Sequence, residues 1–284
     1  MKKANCRICG IWPAILRFCA LWKRRDDMRS VLKYPGSKWR IAKWIVSMIP
    51  EHHSYLEPYF GSGAVFFTKP KSKIETINDL DNNVVNLFDI IRSNPEPLIK
   101  AVEATPYSRT EYERTYLNQD EDVNKIEEAR RFLIRCWQGH GFRTTGEKVG
   151  WKNDVQGREA AYAMRHWNTL PSWMLEVTER LKNVQIDCRP AVELIKRFNY
   201  PNVFIYADPP YVLATRGRKN YKHEMTDDDH IELLDALNNH KGTAIISGYE
   251  SDLYNEYLKG WDKKQIGTLD QLSRKRTETI WIKK

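Results

Sequence analysis

The chain has 284 residues, of which 41% are hydrophobic and 29% are charged, and this length is enough to bury a sizeable core in one or two domains. Lys and Arg outnumber Asp and Glu by 46 to 37, and this net charge of +9 favours a polyanionic partner. No apolar run approaches the ~20 residues that cross a bilayer, so the sequence predicts a protein without membrane spans.

Residues 1–27 differ from the rest, and we expect them to be a dispensable extension because strand- and motif-like sequence begins at Met28. They hold seven Lys or Arg against two Asp, so much of the basic excess lies outside the remaining chain. Cys6 and Cys9 have the spacing of a zinc ligand pair, but no second pair follows at a matching distance. We therefore expect no metal. An odd number of cysteines fits the reducing cytoplasm.

Strand and helix patterns alternate along the remaining chain, which predicts an α/β sheet. A helical pattern covers residues 41–49, and a strand, a turn and a helix follow in each of the segments 54–67 and 74–91. Residues 95–182 are typical of helix and loop, without a convincing strand. Further strands are predicted at 183–187, 203–207, 243–247, 262–267 and 277–283. Further helices are predicted at 190–199, 226–239 and 251–258.

The motif Asp208-Pro209-Pro210-Tyr211 directly follows the apolar strand 203–207. Because proline has no N–H for the ladder, the strand ends at about Ala207 and leaves Asp208 at its carboxyl end, where open α/β sheets bind ligands. A rigidly held carboxylate and carbonyl accept both hydrogens of an amino group, and Tyr211 offers a stacking face. The pattern therefore predicts a clamp for a flipped base with an exocyclic amine, and the alternative is a Pro-Pro turn with an exposed Asp.

Three further motifs lie in turns near predicted strands. The Phe60-Gly61-Ser62-Gly63 turn lets the backbone approach a nucleotide-like ligand, although glycine turns after strands are common. Asp79 follows the next strand, where a carboxylate usually holds ribose hydroxyls, while Asp81 is placed to cap the following helix. The turn Tyr34-Pro35-Gly36-Ser37-Lys38 precedes a helix, and its lysine is a candidate partner for a carboxylate.

Together and in this order, YPGSK, EPYFGSG, NDLD and DPPY resemble the D12 class of adenine-specific DNA methyltransferases, the Dam-like group, and particularly its bacteriophage members. The resemblance covers residues 28–284, including SGYESDLY (247–254) and RTETIWI (276–282). It implies a Rossmann-like S-adenosylmethionine-dependent methyltransferase sheet with helices on both faces, formed by residues 28–99 and 181–284. It also implies an inserted, mainly helical target-recognition region at residues 100–180.

The implied reaction moves the methyl group of S-adenosylmethionine to the N6 amine of a flipped-out adenine in duplex DNA, without a metal. The implied catalytic residues are Asp208, Pro209, Pro210 and Tyr211. The implied donor-binding residues are Tyr34, Lys38, Phe60, Gly61, Gly63, Asp79, Asp187 and Asp208. In this scheme Asp79 holds the donor's ribose, and Asp187 approaches its adenine. Dam-type members often have tryptophan where this chain has Tyr34, a substitution that keeps the aromatic ring.

The middle of the chain has the composition of a DNA-contacting region. Residues 130–168 carry eight Lys or Arg against three acids, with three Trp and five Gly. The simpler alternative is a solvated basic helix face. We expect 139–157 to be the recognition loop, and the basic segment 216–222 to meet phosphates near the flipped base. The expected DNA-binding residues are Arg143, Lys148, Lys152, Arg216, Arg218, Lys219 and Tyr221.

Two alternative functions stay open, namely a methyltransferase acting on RNA or another amine, and a catalytically silent DNA-binding relative. A phosphate-binding NTPase is poorly supported, because the lysine and glycine turns lie far apart in the sequence. The expected partner is double-stranded DNA, with a cognate restriction enzyme as a candidate second partner and GATC as the target by analogy. We expect a monomer in the cytoplasm of a bacterial host, and a phage or prophage gene is one candidate source.

Overall fold

The computed structural model describes residues 28–117, 123–156, 162–269 and 275–284. The expected extension at residues 1–27, and residue 157 of the expected recognition loop, lie outside the described residues. The strands are β1 (Ser54–Glu57), β2 (Ile74–Asn78), β3 (Val184–Asp187), β4 (Val203–Ala207), β5 (Ala244–Gly248), β6 (Asp262–Leu269) and β7 (Lys275–Lys283).

The helices fall into two groups along the chain. Before β3 they are α1 (Ala42–Val46), α2 (Ala64–Thr68), α3 (Asn82–Ser93), α4 (Pro95–Glu103), α5 (Arg109–Leu117), α6 (Lys125–Gln138) and α7 (Tyr162–Leu181). After β3 they are α8 (Ala191–Arg197), α9 (Asp227–Asn238) and α10 (Asp252–Tyr257). Among the described residues, every helix is too short or too polar to span a bilayer.

The seven strands form one sheet in the order β3-β2-β1-β4-β5-β7-β6. Strands β1 to β5 pair in parallel, whereas β7 runs antiparallel to both β5 and β6. The first five strands have the doubly wound Rossmann order, which confirms the predicted fold class. The strand order reverses between β1 and β4, so their carboxyl ends flank the crevice where such sheets bind ligands.

Alternating side chains along each strand build two hydrophobic cores, one on each face of the sheet. Tyr55 and Phe204 point to the face that α1 to α7 cover, while Leu56 and Ile205 point to the face that α8, α9 and α10 cover. All four side chains are fully buried. The prediction of helices on both faces is therefore confirmed.

The described helices α3 to α7 connect β2 to β3, and the described residues of this stretch include no strand of the sheet. Their core is continuous with that of the sheet, because Tyr112, Phe132 and Trp167 belong to the same buried cluster as Tyr55 and Phe204. The helical character of the middle segment is confirmed, while its boundaries as a recognition region stay a prediction.

The first helix is shorter than the predicted 41–49. Beyond Val46 the backbone tightens, because Met48 and Ile49 donate to carbonyls three residues earlier, at 3.0 and 3.1 Å. Pro50 follows and has no N–H with which to continue the helix. The five strands and three helices predicted after residue 182 all lie within three residues of their observed bounds.

Candidate functional site

A cavity of about 250 Å³ lies at the carboxyl ends of the parallel strands, beside the reversal between β1 and β4. Its walls bring together segments that are far apart in the sequence. The lining includes residues 34–38, 57–62, 78–81, 189–192, 208, 210, 221 and 223–225. The four sequence motifs therefore meet at one cavity.

Asp208 and Lys38 form a buried ion pair at the end of β4. The ammonium Nζ lies 3.0 Å from Asp208 Oδ1 and also donates to the carbonyl of Gly36 at 2.6 Å. Burial raises the pKa of Asp208 to about 6, although the ammonium opposes this rise. Burial also acts to lower the pKa of Lys38, but the carboxylates of Asp208 and Glu278 outweigh it and hold that pKa above its ordinary value.

Asp208 keeps room for a ligand despite this ion pair. Its side chain is 18% exposed and lines the cavity, and the Lys38 ammonium at Oδ1 occupies only one of the roughly four lone-pair positions that a carboxylate offers. Pro210 lines the cavity, whereas Pro209 is buried beside it. The motif thus presents a carboxylate with free acceptor capacity to the cavity.

The carboxylate of Asp79 is fixed by backbone groups at the end of β2. Its Oδ2 accepts from the N–H of Gly61 at 2.7 Å, and its Oδ1 accepts from the N–H of Asp81 at 2.9 Å. Burial raises the pKa of Asp79 to about 7 against these hydrogen bonds. Each oxygen retains a second lone pair, so the oriented carboxylate still accepts from hydroxyls in the cavity.

The neighbouring Asp81 caps α3, as predicted, through a hydrogen bond from the N–H of Asn83 to Oδ1 at 3.1 Å. Its second oxygen, Oδ2, is buried and has no hydrogen-bond partner among the described residues. Asp81 also lines the cavity. A ligand with polar hydrogens at this end of the cavity would satisfy that oxygen.

The glycine turn shapes the cavity mainly through its backbone. The N–H of Gly61 is donated to Asp79, and that of Gly63 to the carbonyl of Phe60 at 2.7 Å, so these groups do not point at a ligand as the sequence suggests. The Phe60 side chain is 4% exposed and packs in the core. Gly63 has φ 65°, and a Cβ there would collide with the Phe60 ring. The turn therefore requires glycine at this position.

The two turns around the cavity are joined by side chains. Ser37 Oγ lies 2.7 Å from Ser62 Oγ, which ties the YPGSK turn to the glycine turn. Gly36 has φ 73°, and the hydroxyl of Tyr221 occupies the space that a Cβ would need. This close approach explains why the turn uses glycine.

The segment 216–225 folds across the cavity. Tyr221 packs on the ring of Tyr34, with their centroids 6.2 Å apart. Arg216 donates through Nε to the carbonyl of Tyr211 at 2.6 Å and forms an ion pair with Glu224. Of the two residues expected to bind DNA, Tyr221 thus lines the cavity, and Arg216 pairs with Glu224 of the cavity wall.

The remaining predicted residues lie farther from the cavity centre. Asp187 accepts from the N–H of Cys188 at 2.8 Å and is not among the lining residues, although Arg189 is. Arg143 and Lys148 pair at the surface with Glu147 (2.7 Å) and Glu113 (3.5 Å). Lys152 is half-buried, with its carbonyl accepting from Tyr107 at 2.7 Å. Arg218 and Lys219 are exposed.

Two buried carboxyl residues at the site were missed by sequence reasoning, Glu57 and Glu278. Glu57 ends β1, so the strand-end argument that identified Asp79 and Asp208 would have found it too. Glu278 lies within β7, and no local pattern marks it. Only the antiparallel register of β7 brings it to this edge.

The carboxyl of Glu57 is 2% exposed and accepts a hydrogen bond from Tyr55 at 2.6 Å. Burial raises its pKa to about 8, so the folded state holds a proton that the unfolded chain releases above its ordinary pKa of 4.5. Folding stability should therefore fall as the pH rises from about 4.5 to about 8. Replacing Glu57 with Gln should remove this loss. Relative to the wild type, the variant's free energy of unfolding should therefore be higher at about pH 7.5 than at about pH 5, by on the order of 2–4 kcal/mol.

Urea unfolding of the wild type and of Glu57→Gln at both pH values would measure this difference. Glu75 provides a contrast, because burial acts to raise its pKa but hydrogen bonds from Arg180 and Lys69 lower it overall. Glu75→Gln should shift the pH dependence in the opposite direction. Parallel pH profiles for the wild type and Glu57→Gln would contradict a neutral Glu57.

The cavity suits a ligand with positive charge and hydroxyl groups. The carboxyl groups of Asp79, Asp81 and Asp208 line it beside the neutral carboxyl of Glu57, and the adjacent rings of Tyr34 and Tyr221 also line it. Across the described ranges, no group of three or more His, Cys, Asp or Glu side chains is placed to hold a metal ion. The donor set therefore fits S-adenosylmethionine, which carries a sulfonium, an ammonium and ribose hydroxyls.

The comparisons with known proteins agree with this chemistry. A family model described as D12 class N6 adenine-specific DNA methyltransferase matches residues 34–273. Type II methyltransferase M1.LlaDCHI of Lactococcus lactis subsp. cremoris is 25% identical over 265 residues, covering 87% of this chain and 90% of its own. DNA adenine methylase of Escherichia coli K12 is 22% identical over 241 residues, which cover 81% of this chain and 84% of that protein.

Among solved structures, the SAM-dependent methyltransferase from Agrobacterium tumefaciens aligns with 86% of this chain and 59% of its own. The TM-score is 0.36 and the identity is 12%. A likeness of this size adds nothing to the strand order already described.

Proposed function

Because the chain belongs to the D12 class of N6 adenine-specific DNA methyltransferases, we propose that it methylates a flipped-out adenine at a fixed sequence in duplex DNA. The enzyme uses S-adenosylmethionine as its methyl donor. The observation that carries the proposal is the half-buried carboxylate of Asp208, which pairs with Lys38 and lines the cavity. A flipped adenine would present its exocyclic amine there.

The donor would bind between the turns at the ends of β1 and β2. Bound S-adenosylmethionine supplies an electrophilic methyl group on a positively charged sulfur. Asp79 accepts from the ribose hydroxyls, while Tyr34 and Lys38 contact the methionine end. Phe60, Gly61 and Gly63 shape the cradle. Asp187 acts at the rim, by fixing the turn that places Arg189 in the cavity wall.

The target base would be held by the motif at the end of β4. Asp208 and the carbonyl of Pro209 accept the two N6 hydrogens, which favours a tetrahedral nitrogen and exposes its lone pair. Pro210 stiffens the segment, and Tyr211 stacks on the extruded ring. Held in this way, the nitrogen would face the methyl group that the donor supplies, and correct positioning supplies much of the rate. One N6 hydrogen would leave as a proton to solvent while the donor's sulfonium becomes a neutral thioether.

Duplex DNA would be gripped by the insertion and by the loop that follows Tyr211. Arg143, Lys148 and Lys152 lie on the insertion. Surface ion pairs such as those of Arg143 and Lys148 are worth at most about 1 kcal/mol, so they exchange readily for phosphates. Arg216 and Tyr221 order the loop instead, and Arg218 and Lys219 project from it toward the phosphates.

Replacing Arg218 and Lys219 together with Ala should weaken DNA binding and flatten its salt dependence. Each lost phosphate contact lowers the slope of log K against log salt by about 0.9, so the double variant should lose about 1.8. Anisotropy titrations at several salt concentrations would measure it. The matched controls are Lys71 and Lys73, which are exposed and directly precede β2, at the opposite end of the parallel strands from the cavity. An unchanged slope would place the DNA elsewhere.

We propose further that the enzyme acts as a monomer in the bacterial cytoplasm, with a phage or prophage gene as the source. The likeness to proteins named Type II methyltransferase supports a cognate restriction enzyme as a partner. Size-exclusion chromatography with light scattering tests the oligomeric state, and a dimer would contradict it.

Labelled methyl transfer to duplex DNA, single-stranded DNA and duplex RNA of one sequence tests the substrate. The proposal expects label in duplex DNA above all. Label mainly in RNA would favour the alternative substrate, and donor binding without transfer to any nucleic acid would favour a catalytically silent relative.

A further inference from the structure

Strand β7 brings a buried carboxylate to the catalytic edge of the sheet. Because β7 runs antiparallel to β5, its first half lies where β4 and β5 end, and Thr279 pairs with Gly248 at the last residue of β5. Glu278 precedes Thr279 and is 8% exposed. A carboxylate buried to this extent destabilises the fold unless it is hydrogen-bonded, so its partner is informative.

The partner of Glu278 is the tyrosine of the DPPY motif. Tyr211 donates its hydroxyl hydrogen to Glu278 Oε2 at 2.6 Å. The Lys38 ammonium lies 4.8 Å from the centre of the Tyr211 ring, and the Tyr249 ring packs edge-on at 4.7 Å and 71°. The Tyr211 ring is therefore fixed at its hydroxyl, over its face and along an edge.

We propose that Glu278 is a positioning residue, which fixes the Tyr211 ring through its hydroxyl so that one face is presented to the base held by Asp208. The inference rests on the proposed function. Without this acceptor the hydroxyl end of the ring loses its partner on β7, and small displacements of a substrate-positioning group reduce the rate of transfer substantially. Glu278 acts through Tyr211 and does not touch the base.

Two variants separate this role from that of a counter-charge for Lys38. Glu278→Gln keeps a carbonyl that accepts from Tyr211 but removes the negative charge, whereas Glu278→Ala removes both. Positioning predicts that kcat falls about tenfold in Glu278→Ala and changes by less than about threefold in Glu278→Gln. KM for the donor should stay within about twofold in both variants.

The matched control is Glu250→Ala, because Glu250 pairs with Lys263 at the surface. In a Tyr211→Phe background, which already lacks the donor hydroxyl, Glu278→Ala should cause no further loss of kcat. Equal losses in Glu278→Gln and Glu278→Ala, or a full additional loss in the Tyr211→Phe background, would overturn the inference.

A second measurement does not depend on turnover. Urea unfolding would give the unfolding equilibrium constants of the wild type, Glu278→Ala, Tyr211→Phe and the double variant. If the two residues are coupled, the change in this constant in the double variant should differ by about fivefold or more from the product of the two single changes. Additive effects in an enzyme that methylates DNA would overturn only this inference. Coupling in a protein that transfers no methyl group would overturn the proposed function, and the positioning role with it.

Discussion

Replacing Asp208 with Asn is expected to lower the rate of methyl transfer by about 10²–10³-fold, with DNA affinity within about twofold of the wild type. Asn has the shape of Asp, but its NH₂ group directs donor hydrogens where the adenine amine needs an acceptor. Loss of the charge also removes the partner that holds Lys38 in place. Single-turnover transfer to duplex DNA measures the effect directly.

The matched control is Asp235→Asn, at an exposed position on α9, which should leave the rate unchanged. Melting curves and donor binding establish that the Asp208 variant is folded. In the wild type, the rate should fall as the pH drops through about 6, where Asp208 becomes protonated and no longer accepts both amine hydrogens. An Asp208→Asn enzyme with wild-type turnover would contradict the amine clamp.

Replacing Asp79 with Ala is expected to weaken donor binding by about tenfold or more. A hydrogen bond to a charged acceptor contributes about 1.5–3 kcal/mol, and roughly 1.4 kcal/mol corresponds to tenfold in affinity. The variant also loses the hydrogen bonds that orient Gly61 and Asp81 around the cavity. Isothermal titration with S-adenosylmethionine measures the change without requiring DNA or turnover.

Asp187 is the matched control for Asp79, because both carboxylates lie at the carboxyl ends of neighbouring parallel strands. Asp187 ends β3 and pairs with Asn78, the residue of β2 that directly precedes Asp79. Asp187 is not among the residues that line the cavity, so Asp187→Ala should change donor affinity by less than about threefold. Equal losses in both variants would restore a direct role for Asp187 at the donor's adenine. An unchanged affinity in Asp79→Ala would refute the ribose contact.

The sequence predicts the strand-end chemistry well, because local signals decide it. An apolar strand followed by two prolines has to end before Asp208, and parallel strands bring their carboxyl ends to the same edge. Asp79, Asp208 and the glycine turn therefore meet at one cavity, as their positions after strands suggest. Local patterns do not determine which residues from other segments lie beside these side chains at the carboxyl ends of the strands.

Contacts between distant segments could not be predicted in this way. Glu278 reaches Tyr211 because of the register between β5 and β7, and a shift of one residue would turn it to the other face. Arg216 pairs with Glu224 because the loop folds back on itself, so a basic residue that looks free in the sequence is already engaged. Tyr221 likewise lines the cavity, a placement that no local pattern in the sequence indicates.

Sequence alone also could not show where the expected recognition loop, residues 139–157, lies relative to the cavity. The N–H of Lys222 donates to Thr144 Oγ1 at 2.7 Å, and the N–H of Thr144 donates to the carbonyl of Asn220 at 3.0 Å. These bonds join the insertion to the loop over the cavity across almost 80 residues of sequence. Closure of such a long loop depends on tertiary packing, which no short pattern encodes.

The most direct test of the account is nucleoside mass spectrometry of an unmethylated plasmid after incubation with the purified protein and S-adenosylmethionine, with methylation-sensitive sequencing of the same DNA. The account predicts N6-methyladenine within one fixed sequence for the wild type, and almost none for Asp208→Asn. Methylation of cytosine, or no methyladenine from a protein that binds the donor, would contradict it.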